Sequence, residues 1–384
     1  MPLTGIKVLE FAGLAPGPFA GMILADFGAQ VIRCDKIATS TSDVLARGKK
    51  SISINLKSQN LINVLKKKII PKVDVVIDPY RPGVMEKLGL GPEILLKINP
   101  RLIYARITGF GQEGYYSKVL GRKNENPMFP ANLLADFAGG GLICALGIVL
   151  ALFERVKSNK GQIIDAAMID GVSYISSFIF KMKQNGLWNN PKGENALDSG
   201  APFYETYKTK DGKYIAVGAI EPQFYTILLN KLDLKDLPDQ LDMMEWPKLK
   251  SIFAKKFLEK TRREWEIIFD GTDACVTPIL EIGEKNIGSD IMLNKHNKDR
   301  NFLSKSEDAD DMFEPLPAPR LSRTPSKFFE GSKKVTAAEF TRQPKVGEDT
   351  FSIFLSFGIS KSECDALSEE GAIFDSSLSL DSKL

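Results

Sequence analysis

Histidine is almost absent from this 384-residue chain: His296 is the only one. Cysteine is scarce too, with Cys34, Cys144, Cys275 and Cys364 far apart and no Cys-x-x-Cys pair. A His-based metal cluster is therefore excluded, and any Ser-His or Cys-His pair has a single candidate imidazole. Scattered cysteines make no disulfide framework and suit a reducing compartment. Charge of one sign is lacking as well. Lys+Arg 51 against Asp+Glu 48 leaves +3 over the whole length, too little for a nucleic-acid partner. Long apolar runs are missing: the longest, Leu142 to Phe153, has 12 residues, whereas a membrane span needs ~18, so no span is expected. The N-terminus has no cationic stretch ahead of an apolar core and does not read as a signal peptide. No Walker loop, Gly-x-Ser-x-Gly elbow or full Gly-x-Gly-x-x-Gly is present, and Pro16 and Pro18 spoil the fit of Gly13, Gly17 and Gly21 to a dinucleotide loop.

What is present in the first half is an alternation of strand and helix signals. Ile6–Phe11, Gln30–Cys34, Ser51–Ile54, Val73–Ile77 and Leu102–Ile107 read as short buried strands. Between them lie helical patterns at Phe19–Phe27, at Ser58–Lys68 with Ser58 as cap, and near Val84–Leu88. Such spacing predicts parallel βαβ units in a doubly wound, mostly parallel, Rossmann-like α/β sheet. Two long helices are expected at about Ala138–Val156 and Asp165–Lys183. Beyond them the pattern changes to a hairpin, Phe203–Thr209 and Tyr214–Ala219 around Asp211-Gly212, followed by three helical stretches. The predicted organisation is a large α/β domain over 1–185, a linker over 186–200 and a smaller α+β domain over 201–285. An extended return segment over 286–343 and a C-terminal segment over 344–384 rejoining the large domain complete it.

Three constellations can carry chemistry. Asp136-Phe-Ala-Gly139-Gly140-Gly141 sets a carboxylate ahead of glycines and an apolar helix. Amides at a helix start favour negative charge and glycines admit a ligand close to the backbone, so the Asp can act as base or nucleophile beside an oxyanion site at Gly139 and Gly140. The plainer alternative is a capping Asp followed by glycines chosen for tight packing. Glu221-Pro222 ends a strand and opens a helix, where a carboxylate either faces a cleft or stabilises the helix dipole. Arg47-Gly-Lys49-Lys50 and Arg81-Pro-Gly83 place cations beside strands, as phosphate holders or as solvated surface charge. Finally, Ser382-Lys383-Leu384 matches the receptor-read peroxisomal address.

Glu10-Phe-Ala-Gly-Leu-Ala-Pro-Gly-Pro18, Leu24-Ala-Asp-Phe-Gly-Ala29, Arg106-Ile-Thr-Gly-Phe-Gly-Gln112, Leu134-Ala-Asp-Phe-Ala-Gly-Gly-Gly141 and Lys160-Gly-Gln-Ile-Ile-Asp-Ala166 together resemble the class III CoA-transferase superfamily. Gly200-Ala-Pro-Phe-Tyr204, Gly218-Ala-Ile-Glu-Pro-Gln-Phe-Tyr225 and Phe269-Asp-Gly-Thr-Asp-Ala-Cys-Val-Thr-Pro278 resemble its branch of 2-methylacyl-CoA racemases. The resemblance implies inversion at C2 of a 2-methyl-branched acyl-CoA thioester through an enolate, within peroxisomal branched fatty acid and bile-acid intermediate metabolism. Asp136 is then one base and Glu221 the residue that orients the other, a histidine. Lys36, Ile54, Arg81 and Lys87 become the CoA contacts, Lys36 standing where the family usually has Arg. No metal and no separate cofactor is implied, since CoA belongs to the substrate. Implied partners are the acyl-CoA thioester, the peroxisomal import receptor through Ser382-Lys383-Leu384, and a second copy in an interlocked homodimer. The implied location is the peroxisome, with the mitochondrion as the family's second one. The family's histidine has no counterpart after Gly109-Phe-Gly-Gln112, where the segment that carries it is missing around Leu120-Gly121. Transfer of CoA by a carboxylate nucleophile, or acyl-CoA binding without turnover, are the alternatives.

Overall fold

Near-continuous apolar runs such as Val75-Val-Ile77 suit strands buried on both faces, and such strands build parallel sheets covered by helices. The computed structural model describes residues 1–37, 43–112, 132–191, 193–281, 291, 294–301, 303–305, 313–327 and 342–378. The chain divides into a unit of Met1–Ile175 with Lys295–Leu384 and a unit of Ser176–Asn294.

The larger unit is built on β1 (Lys7–Phe11), β2 (Gln30–Lys36), β3 (Lys50–Ile54), β4 (Val75–Asp78), β5 (Ile103–Thr108) and β6 (Gln162–Ala167). Their order is β3-β2-β1-β4-β5-β6, all parallel, with a short strand, Ile373–Phe374, added antiparallel beside β3. The doubly wound sheet expected from the sequence is therefore the observed one. The winding reverses between β1 and β4, and in such sheets the crevice beyond the carboxyl ends at the reversal is where ligands bind. One sheet face buries Leu9, Ile32, Ile52 and Val76, the other Val8, Val31, Val75 and Ile103.

The helices show why local signals succeed or fail. α1 (Pro16–Asp26) begins on the prolines that read as a turn, because the first helical turn has no N–H partner to lose. α2 (Gln59–Val64) is capped as expected, Ser58 Oγ accepting the Leu61 N–H at 3.2 Å. α3 (Val84–Lys87) and α4 (Pro92–Ile98) follow β4. The helix expected from Ala138 starts earlier, at Leu133: a π-wound segment, Leu133–Leu142, runs directly into α5 (Ile143–Ser158). The joined helix, Leu133–Ser158, is long and apolar enough to cross a membrane, with a mean hydropathy of 2.1 over its most apolar 18 residues. One face of it, including Cys144, Ala145, Ile148 and Ala151, packs into the sheet core.

The single helix expected over Asp165–Lys183 is instead β6, then α6 (Met168–Ile175) and α7 (Ser177–Gln184). β6 lies at the sheet margin with only its last two residues buried, so it lacks the apolar run of the inner strands. Pairing with β5, a tertiary contact, decides its form.

In the smaller unit, β7 (Tyr204–Lys208) and β8 (Tyr214–Gly218) form the expected hairpin, and β9 (Val276–Pro278) joins β8 antiparallel. Gly212, in the turn, adopts a φ of +79°, which glycine takes at little cost. α8 (Pro222–Leu232), α9 (Trp246–Phe257) and α10 (Arg262–Phe269) bury an aromatic core in which Tyr207 stacks on Phe257 at 5.1 Å.

Candidate active site

The four residues expected to hold CoA gather along the carboxyl edge of the large sheet. Lys36 ends β2 and Ile54 ends β3, and the two are direct cross-strand partners. Lys36 is exposed and Ile54 buried, so a cation meets solvent above an apolar floor. Arg81 follows β4 and Lys87 ends α3, both exposed. The loops after β1 and β4 touch at the reversal point: a Cβ on Gly13 would lie 2.7 Å from Pro79, so only glycine fits there.

Asp136 sits in the first turn of the π-wound segment and is half-buried, its N–H donating to the Asn132 carbonyl at 3.1 Å. Among the described residues its carboxylate has no hydrogen-bond or ion-pair partner, which leaves its lone pairs available to a ligand. The following glycines seat this helix. A Cβ on Gly140 would meet Pro16 at 3.0 Å, one on Gly141 the Pro16 carbonyl at 2.7 Å, and one on Gly171 of α6 the Gly139 carbonyl at 1.9 Å. Phe137 packs edge-on against Phe19 of α1 at 5.1 Å. Because Pro16 follows the loop at the carboxyl end of β1, these contacts tie the helix of Asp136 to the edge that carries the CoA candidates. Gly139 and Gly140 thus lie inside the winding, buried, and not at a helix start as the sequence suggested. By helix geometry the amides left over are those of the first turn, Leu133 to Ala135.

Glu221 belongs to the smaller unit. It is exposed at the N-cap of α8, its carbonyl accepting the Phe224 and Tyr225 N–H groups at 3.0 Å while its side chain caps nothing. The turn before it is pinned by Gln240, whose Nε2 donates to the Ile220 carbonyl at 2.8 Å. Cys275 lies close by, and burial, reinforced by the Glu221 charge, raises its thiol above the ordinary range. An open hollow of about 400 Å³ on this unit's sheet, lined by Tyr204, Thr206, Gly218 and Cys275 among others, contains none of the nominated residues. His296 is exposed on a six-residue helix, Lys295–Arg300. The Leu120-Gly121 junction and Ser382-Lys383-Leu384 lie outside the described residues.

The Arg47-Gly-Lys49 cations are neither phosphate holders nor surface charge. Arg47 forks onto Asp26 at 2.8 and 3.3 Å, and Lys49, fully buried, donates to Glu10 at 2.9 Å and to the Pro18 carbonyl at 2.9 Å. Arg33, Asp35 and Ser51 extend this buried network, with Ser51 Oγ donating to Asp35 at 2.6 Å. Nothing in a cationic tripeptide announces such burial, because the acids that receive it come from distant strands and helices. Desolvation pushes Glu10 up from 4.5 to about 7, against the pull of Lys49. Between those two values the folded chain holds more protons than the unfolded one, so this group's contribution to stability falls as pH rises through that window. Glu10→Gln keeps an oxygen for Lys49 and removes the titration. It is expected to flatten the fall of unfolding free energy from pH 4.5 to 7, read by denaturant titration, a slope whose limit for one proton is ~1.4 kcal/mol per pH unit. An unchanged slope would contradict the assignment.

With this geometry the relatives can be placed. A mouse protein named alpha-methylacyl-CoA racemase is 49% identical over 382 residues, covering 94% of this chain and 95% of that protein. A human protein of the same name is 48% identical over 393 residues, covering 97% and 98%. A crystal structure of a CAIB/BAIF family protein from Brucella suis superposes with a TM-score of 0.73 over 93% of this chain and 99% of that one, at 22% identity, and so shares the fold. The profile of CoA-transferase family III matches residues 3–350. The match over residues 3–350 and the 48–49% identity over nearly the full length show that this chain, with its doubly wound parallel sheet, belongs to CoA-transferase family III.

Proposed function

We propose that this chain is an isomerase that removes and returns the C2 proton of 2-methyl-branched acyl-CoA thioesters. Asp136 carries this reading: a half-buried carboxylate, without a partner among the described residues, on a helix tied to the carboxyl edge of the sheet. The near-full-length similarity to two racemases supports the substrate class. Lys36, Ile54, Arg81 and Lys87 contact CoA, the three exposed cations suiting its phosphates and the buried Ile54 an apolar part. The α-proton of a thioester is far less acidic than any side chain, so the enolate oxygen must be stabilised electrostatically as the proton leaves. The first-turn amides of the Asp136 helix are the donors its winding leaves over, and Gly139 and Gly140 set how closely that helix lies against its neighbours. Glu221 is the family's orienting acid, left here without the imidazole it serves. CoA enters as part of the substrate, and no separate cofactor takes part.

The terminal Ser382-Lys383-Leu384 directs the chain to the peroxisome through the import receptor, with the mitochondrion as second location, so that the activity serves branched fatty acid and bile-acid intermediates. A homodimer is the assembly. Leu146, Val149, Leu150 and Phe153 form an exposed stripe on α5 at helical spacing, with Phe153 64% exposed, and a second copy is the occupant that covers it.

The test is incubation of a 2-methylacyl-CoA with the chain in D₂O. Protein-dependent deuterium at C2 is expected, and its absence would refute the assignment. A hydroxamate formed on a carboxylate of the protein itself on adding hydroxylamine would point instead to transferase chemistry, in which a carboxylate attacks the thioester, expels CoA as its thiolate and leaves a mixed anhydride.

A further inference from the structure

The segment that carries Arg81 and Lys87 is held at both ends by one strand. Asp78, the fully buried last residue of β4, accepts the Tyr80 N–H on Oδ1 at 2.9 Å and the Tyr104 hydroxyl on Oδ2 at 3.2 Å. The chain then turns at Arg81-Pro82-Gly83-Val84, the Val84 N–H donating to the Arg81 carbonyl at 3.1 Å. Pro82 and Gly83, the latter at φ +86°, occupy the positions a type II turn reserves for them. At the far end Glu86 receives a fork from Arg106, Nη1 to Oε1 at 2.7 Å and Nη2 to Oε2 at 3.4 Å. The same guanidinium places its Nε 3.4 Å from Asp78 Oδ2. Tyr104 and Arg106 stand two residues apart on β5 and so share a face of that strand. Arg106 is 7% exposed, which shields these contacts from water, while Glu86 stands at the rim, 41% exposed.

We propose that Arg106 is a positioning residue for phosphate recognition: by holding Glu86 and Asp78 to one guanidinium it fixes the spacing of Arg81 and Lys87. The inference rests on the assignment of those two cations to CoA. It has a sign that simple electrostatics reverses. Glu86 is an anion beside a phosphate site, so removing its charge should tighten CoA binding if the residue acts only through its field. If Glu86 is the anchor through which Arg106 sets the loop, removing it loosens the cations and weakens binding.

Calorimetric titration of free CoA into the full chain and into Glu86→Ala decides between the two. The dissociation constant is expected to rise about tenfold, as for the loss of one charge-assisted contact. Arg106→Lys, which keeps the charge but not the fork, is expected to show a similar loss. Deuterium exchange on the 2-methylacyl thioester of pantetheine, which lacks the nucleotide phosphates, is expected to be unchanged in both variants. Unchanged or tighter CoA binding in Glu86→Ala overturns the proposal, as does an equal loss with the pantetheine thioester. If the unsubstituted chain itself fails to bind CoA, the assignment of Arg81 and Lys87 falls, and the proposal falls with it.

Discussion

Asp136→Asn is expected to slow deuterium incorporation at C2 of a 2-methylacyl-CoA by about 10²–10⁴-fold, the range that removal of a general base typically costs. The substitution keeps shape and volume and removes only the ability to accept the proton. Asp136 is half-buried, and among the described residues its carboxylate has no partner that the substitution would remove. Thermal stability and CoA affinity should therefore match the unsubstituted chain, which separates a chemical loss from a folding or binding defect. Exchange that continued unimpaired in Asp136→Asn would remove the carboxylate from the reaction.

A second large effect concerns the stereochemical outcome. Inversion at C2 needs one group to take a proton from one face and another to deliver a proton to the opposite face. The chain has one histidine, His296, exposed on the helix Lys295–Arg300, and under the proposed assignment it is not the second base. Asp136 alone can take a proton, exchange it with solvent and return it to the same face. Starting from the S epimer in D₂O, deuterated S thioester should accumulate ahead of R product by about 10²–10⁴-fold, the same general-base factor applied to the missing partner. Chiral chromatography of the hydrolysed acids with mass detection reads both quantities. Appearance of R product at the rate of exchange would mean that another group in this chain fills the second position.

Much of the fold could be read before any coordinate. Apolar strands separated by helical periods made the doubly wound sheet legible, because a strand buried on both faces writes its burial into a continuous run. β6 was lost because a marginal strand takes its form from its neighbour and not from its own pattern. The two-residue strand Ile373–Phe374 is too short to carry a pattern at all. At the candidate site, Asp136 was nominated from its glycine-flanked motif and the edge residues from the family resemblance. The fates of Arg47 and Lys49 were not, since a buried ion pair depends on where its acid arrives from: Asp26 and Glu10 lie 21 and 39 residues away in the chain. The Glu86–Arg106 fork was hidden for the same reason.

The wide coil beneath Asp136 also governs its compass bearing. A π-wound stretch turns less per residue than an α-helix, so the direction in which residue 136 points is dictated by how many wide steps separate it from Ile143. Rewinding those ten residues as an α-helix would swing the carboxylate around the axis without altering a single side chain. Pro16, Phe19 and Gly171 act as the stops that prevent it, which makes the aim of this carboxylate a property of three helices jointly.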